Sequence, residues 1–265
     1  MSVRIGAVSY LNTKPLIYSL EKQLSDGELC LDLPSRLEDQ LIGGRLDIAL
    51  IPSIEYLRNH SELAVVSDAC IACRGAVRSV QLLFRKPPHQ VKTLALDEGS
   101  RTSAVLAQVL LREHYNIRPH CQLLPIASEF RNCSADAVMV IGDRAMKINQ
   151  QEYMECWDLG EHWNRWASLP FVFAMWVARQ SDLQRPEITR AVESLEQSRD
   201  AGVQHLSVIA KQQAPRYGLS EVDCLIYLRD QLHFFMGDQE RLGLDLFRQH
   251  ASRMDLVPTA AMVDC

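Results

Sequence analysis

No stretch of this chain approaches the run of about 20 apolar residues that a membrane-spanning helix needs. Its start, Met1-Ser2-Val3-Arg4, lacks the basic segment and long apolar core of a secretory leader, so a cytoplasmic protein is expected. There is no basic tract either. The 28 Lys and Arg stand against 33 Asp and Glu, a formal net charge of -5, which disfavours nucleic acid because nothing is massed to neutralise phosphates. Also missing are G-x-G-x-x-G, a Walker loop, H-E-x-x-H and G-x-S-x-G, so neither a nucleotide cofactor nor a catalytic metal is expected. Eight cysteines are present, but Cys70-Ile71-Ala72-Cys73 is the one C-x-x-C. No second pair completes four zinc ligands, and in a reducing compartment these thiols read as small apolar residues. The histidines are scattered, and none falls in the polar turns described below. They read as surface residues rather than bases. No internal repeat or low-complexity tract is present.

What the chain does have is an alternation of strand-like and helix-like runs, expected to form an α/β fold. With 265 residues and 47% apolar content, it can build one large domain or two medium lobes. A strand over 3–9 is followed by a helix over 15–24 with Pro15 in its first turn, where the missing N–H costs nothing. A strand over 29–33 leads to a helix over 34–41 ended by Gly43-Gly44. A buried strand over 46–51 stops at Pro52, and Ser53 caps a short helix. Strands over 63–66 and 80–84 follow, and the alternation predicts a parallel-type sheet. A second unit begins near Pro87-Pro88, with strands over 93–96, 121–124 and 137–141 and a helix opening at Ser100. A long apolar strand over 170–178 precedes helices from about 181 to 254, expected to pack back on the first unit. The tail after Pro258 lacks pattern and is expected to fray. The division is lobe 1 from 1–88 plus 178–265 and lobe 2 from 89–177, with a ligand cleft between them.

Four polar turns recur at strand ends, where ligands of open α/β sheets bind. They are Ser9-Tyr10-Leu11-Asn12-Thr13, Pro52-Ser53, Ser100-Arg101-Thr102-Ser103 and Gly142-Asp143-Arg144. Any one of them reads equally as a helix cap; together they favour a cleft for a small anion. Candidate binding residues are Ser9, Tyr10, Thr13, Ser53, Ser100, Arg101, Thr102, Ser103 and Asp143. Ser100 to Ser103 offer hydroxyls, first-turn N–H groups and a guanidinium to a carboxylate. Asp143 reads more readily as an ion-pair partner of Arg144 or a cap than as a base.

Six blocks carry a resemblance to a known family: residues 7–16 (Ala-Val-Ser-Tyr-Leu-Asn-Thr-Lys-Pro-Leu), 47–56, 77–80, 99–103, 141–145 and 169–174, in that order. The chain resembles the chorismate dehydratases of the futalosine route to menaquinone. The resemblance implies a type II periplasmic-binding-protein-like fold used as an enzyme. It implies a lyase that converts chorismate to 3-[(1-carboxyvinyl)oxy]benzoate and water without a cofactor. It maps the family's important asparagine and serine to Asn12 and Ser79. Residues 70–76, Cys-Ile-Ala-Cys-Arg-Gly-Ala, depart from the serine- and proline-bearing stretch expected there. The rival readings are a cytoplasmic small-carboxylate-binding or sensory protein on the same scaffold, and a lyase for another carboxylated ring. The expected partner is a small molecule, neither nucleic acid nor membrane. No oligomeric state follows from the sequence.

Overall fold

The computed structural model describes residues 2–24 and 27–258; the expected fraying after Pro258 lies outside the described residues. The chain opens with β1 (Val3–Val8), a 3-10 turn at Leu11–Thr13, α1 (Leu20–Gln23), β2 (Gly27–Asp32), α2 (Pro34–Ile42), β3 (Ile48–Pro52), α3 (Ser53–Arg58) and β4 (Leu63–Cys73). It continues with β5 (Val80–Phe84), β6 (Thr93–Asp97), α4 (Arg101–Tyr115), β7 (His120–Leu124), β8 (Ala137–Ile141), α5 (Gly142–Met146), β9 (Glu155–Asp158) and α6 (Leu159–Ala167). It closes with β10 (Phe171–Arg179), α7 (Pro186–Gln204), α8 (Leu206–Tyr217), α9 (Glu221–Ile226), a π-helical turn at Tyr227–Gln231, β11 (His233–Phe235) and α10 (Asp238–Arg253).

These strands form two sheets, ordered β11-β4-β10-β3-β1-β2 and β7-β6-β8-β5-β9. The two-lobed α/β expectation is met, but both sheets are mixed rather than parallel. β1 pairs β2 and β3 in parallel, whereas β10 runs antiparallel to both β3 and β4. In the second sheet β6 pairs β7 and β8 in parallel, whereas β5 is antiparallel to β8 and β9. The cause is the path of the chain. In each sheet a strand next to a crossing between lobes runs against its neighbours, β10 in the first and β5 in the second, and in the first sheet the edge strand β11 is also antiparallel to β4. Nearly every residue of β3, β5 and β8 is buried, as a strand covered on both faces requires.

Strand membership places the crossings earlier than the expected divisions at 88 and 178. β5 already belongs to the second sheet, so the chain crosses over residues 74–79 and returns over 168–170. Pro87-Pro88 marks only the loop between β5 and β6, where Pro88–Gln90 forms a 3-10 turn. The expected helix over 15–24 is also reduced, to the four residues of α1. Here the backbone is pinned against α7: a Cβ on Gly202 would lie 1.9 Å from the Pro15 carbonyl oxygen, so only glycine permits the approach. The chain between the 3-10 turn and α1 then follows that contact in tight turns, with Leu16 N–H donating to Thr13 O at 2.9 Å. β9, α6 and β11 were not anticipated; β9 and β11 are only four and three residues long, too short to show a period.

The C-terminal helices return to the first sheet. α7 packs on β4 and β1, and α10 on β10 and α3. Trp163 of α6, Phe171 of β10 and Phe247 of α10 join in edge-to-face contacts with centroids 5.0 to 6.1 Å apart, all essentially without solvent exposure. α10 also reaches the second lobe, where His250 Nδ1 lies 2.8 Å from the Glu113 carboxylate of α4. The fold therefore holds its lobes together with helices from the far end of the chain.

Candidate active site

Between the sheets lies a cavity of about 340 Å³, near the lower end of the roughly 300–1,000 Å³ typical of small-molecule sites. Val8, Leu50, Ile71, Val80 and Phe173 give it apolar walls. The polar groups come from separate elements: Tyr10 and Asn12 after β1, Ser79 at the crossing, Ser100 and Ser103 at the start of α4, and Tyr217 and Tyr227 from the C-terminal helices. The charged lining residues are Asp97, Asp143 and Arg144. None of the eight histidines lines it.

β1 ends at Val8, and the 3-10 turn that follows lifts Asn12 into the cavity wall. Asn12 Oδ1 accepts from the Thr13 hydroxyl at 3.4 Å, and among the described residues its Nδ2 has no partner, which leaves two N–H donors for a ligand. Thr13 itself is fully buried and outside the lining. Ser9 is exposed and contributes its carbonyl, which accepts from the Tyr217 hydroxyl at 3.1 Å. The Tyr10 phenol is held neutral: burial and then the Asp97 carboxylate push its pKa up, against a smaller pull from Arg144.

Ser79 follows Arg78, whose φ of 60° is in the left-handed region that a long side chain rarely adopts. The strain is held by Asp158. Its carboxylate accepts from the N–H of Arg78 at 2.6 Å and of Val77 at 3.0 Å, from Gln81 Nε2 at 3.0 Å, and from the N–H of Glu161, which makes it the N-cap of α6. Arg78 also pairs with Asp223 of α9 at 3.2 Å. Ser79 is 5% exposed, and its Oγ accepts from the Tyr227 hydroxyl at 3.0 Å. Sequence reasoning had no route to Asp158 or Tyr227, which lie about 80 and 150 residues away with no local motif around them.

At α4 the expected cap is present: Ser100 Oγ accepts from Ser103 N–H at 3.3 Å and donates to Ser103 Oγ at 2.8 Å. The first-turn N–H groups of a 15-residue helix thus open beside the cavity with the positive end of its dipole. The expected roles of Arg101 and Thr102 need correction. Arg101 turns away from the cavity to Glu55 at 3.0 Å and Glu38 at 3.5 Å, two almost buried carboxylates of the first lobe. Thr102 Oγ1 accepts from the Ile54 N–H at 3.2 Å. Both side chains tie α4 to α3 and α2, because the helix turns positions 101 and 102 off the face that carries Ser100 and Ser103. Ser53 is not a cap either; it lies within α3, fully buried, and its hydroxyl donates to the Val172 carbonyl at 2.7 Å. Two carboxylates meeting one guanidinium leave Glu38 a proton short of comfort: burial first, then Glu55, raises its pKa to about 7.

Arg144 pairs with Asp97 rather than with Asp143. Asp97 Oδ1 also accepts from Gly99 N–H at 2.9 Å and Oδ2 from Ile141 N–H at 3.2 Å, so this buried carboxylate is fully engaged in joining β6 to β8 and α5. Asp143 lies exposed at the rim, where its charge helps raise the Tyr217 pKa after burial has done so. The cysteine pair is buried in β4; burial pushes the Cys73 thiol up to about 12 and Cys70 higher still, which leaves both inert.

Comparison with known proteins gives this arrangement a context. A family described as menaquinone biosynthesis matches residues 3–253. A chorismate dehydratase of Thermus thermophilus is 27% identical over 261 residues, 92% of this chain and 93% of the relative. One of Campylobacter jejuni is 26% identical over 257 residues, covering 95% and 98% of the two chains. Among solved structures, the periplasmic aliphatic sulphonate binding protein SsuA of Escherichia coli superposes with a TM-score of 0.67 at 15% identity, covering 97% of this chain and 89% of that one. That likeness establishes a periplasmic-binding-protein-like fold.

Proposed function

The chain belongs to the menaquinone-biosynthesis family, and from that premise we propose that it is a chorismate dehydratase, a hydro-lyase that makes 3-[(1-carboxyvinyl)oxy]benzoate and water without a cofactor. The observation that carries the reading is the convergence of Asn12, Ser79 and the first turn of α4 on one cavity of ring-sized volume. The reaction removes a ring proton placed vinylogously to the ring carboxylate. The electron pair runs into that carboxylate, then expels the ring hydroxyl, and the two together leave as water. Aromatisation drives the step, so the protein's task is to orient the substrate and to stabilise charge that develops on it.

The α4 N-terminus with Ser100 and Ser103 takes a carboxylate. The Nδ2 donors of Asn12 and the Ser79 hydroxyl meet the oxygens on which charge grows. Asn12 and Ser79 are not bases, none of the histidines lines the cavity, Asp97 already accepts from two backbone N–H groups and pairs with Arg144, and Asp143 is exposed at the rim. The proton acceptor that remains is the enolpyruvyl carboxylate of the substrate itself. Tyr10 and the apolar walls exclude water from the ring.

The test is to incubate the purified protein, freed of metal by chelation, with chorismate and follow ultraviolet absorbance and mass. Loss of one water with an aromatic spectrum is expected. Protection against heat by chorismate without turnover would overturn the enzyme reading and leave a carboxylate-binding protein.

A further inference from the structure

We infer that Tyr227 is a positioning residue for the reaction: its hydroxyl hydrogen occupies one lone pair of Ser79 Oγ and thereby aims the serine's own proton into the cavity. The inference rests on the dehydratase reading and deepens it.

Three observations converge. The first is the hydrogen bond itself. Tyr227 OH donates to Ser79 Oγ at 3.0 Å in a buried setting, and Tyr227 is 2% exposed. A serine hydroxyl has one proton to give and two lone pairs. With a lone pair engaged by the phenol, the proton is free to point at a ligand, and Ser79 lines the cavity. Burial pushes the Tyr227 pKa up, so the phenol stays protonated and remains a donor throughout the working pH range.

The second is the backbone that carries Tyr227. It begins a π-helical turn, Tyr227–Gln231, at the end of α9. Single π turns inside helices are rare and recur at functional sites because they re-aim side chains. Here the turn brings both Tyr227 and Leu232 to the cavity wall.

The third is a second grip by the same segment on the same turn. Asp223 of α9 pairs with Arg78 at 3.2 Å, one residue before Ser79, where the backbone is held at a φ of 60°. The α9 segment therefore clasps the crossing turn at two successive residues. A purely structural role would need neither a hydroxyl on Tyr227 nor a bond made to the serine that faces the cavity.

The experiment is a double-mutant cycle on chorismate turnover. Tyr227→Phe removes one oxygen and is expected to lower kcat about tenfold, the scale of one oriented hydrogen bond, with KM changed less than about twofold. In a Ser79→Ala background the same substitution is expected to change kcat by less than about twofold, because the group being oriented is gone. Asp223→Asn, which touches the turn and not the cavity, is expected to lower kcat in the same direction. Wild-type protein that fails to dehydrate chorismate overturns the dehydratase reading and this inference with it. Wild-type turnover together with full kcat in folded Tyr227→Phe, or equal losses from Tyr227→Phe with and without Ser79, overturns the positioning role alone. Should Tyr227→Phe fail to fold, 4-fluorophenylalanine at position 227, close to tyrosine in size but without its proton, takes its place in the cycle, and full kcat there has the same force.

Discussion

Replacing Asp158 with alanine should loosen the crossing turn from a distance. Asp158 caps α6 through Glu161 N–H and accepts from the N–H groups of Val77 and Arg78. Losing an N-cap costs about 1 kcal/mol. The two amides left without an acceptor cost about 1 kcal/mol each, for about 3 kcal/mol together. At about 2–4 °C per kcal/mol for a chain of this size, Tm should fall by about 6–12 °C. The activity should fall further than the stability implies. The carboxylate holds Arg78 at a φ of 60°; without its acceptor the turn is free to shift, and that shift swings Ser79 away from Tyr227. Asp158→Asn keeps one acceptor oxygen and should recover part of both losses. The assay is a thermal melt beside kcat for chorismate. Asp158→Ala melting within about 2 °C of wild type with unchanged kcat would refute the claim that this carboxylate organises the site.

Asn12→Ala should lower kcat about a hundredfold by removing donors to developing charge, a typical loss for such a group; full turnover in a steady-state assay would remove Asn12 from the mechanism. Ser103→Ala should raise KM for chorismate several-fold with a smaller change in kcat, and an unchanged KM would place the carboxylate elsewhere. Glu38, with its pKa raised from 4.5 to about 7 by burial and Glu55, makes stability depend on pH. Between those values the folded chain holds a proton that the unfolded chain has released. The contribution is fully present below about pH 4.5 and is lost as pH rises through about 7. Glu38→Gln should flatten the fall in Tm across that window, and an identical slope in the variant would show that the interlobe cluster does not titrate there.

The legible parts of the fold share a local cause. The strands at 93–97 and 137–141, the Ser100 cap and the Gly43-Gly44 helix stop were anticipated because apolar runs, caps and glycines act within a few residues of themselves. The short helix α1 shows the opposite case. Its sequence supports a helix from Pro15 onward, yet contact with Gly202, almost 190 residues away, bends the chain first. Strand direction was equally hidden: β3 is apolar throughout and β10 is apolar up to Arg179, and an apolar run carries no sign of whether its partner runs parallel or antiparallel.

The site divides along the same line. Sequence by itself determined the lining turns at Tyr10, Asn12, Ser100, Ser103 and Asp143, since strand ends and helix starts declare themselves in the chain, and residue blocks in order pointed to the family. Only tertiary structure decided that Arg101 and Thr102 lock the lobes instead of facing the cavity, that Arg144 is taken by Asp97, and that Asp158 and Tyr227 set Ser79 in place. The physical reason is that a hydrogen bond or ion pair depends on which two surfaces the whole chain brings within about 3 Å. No neighbour in sequence records that distance.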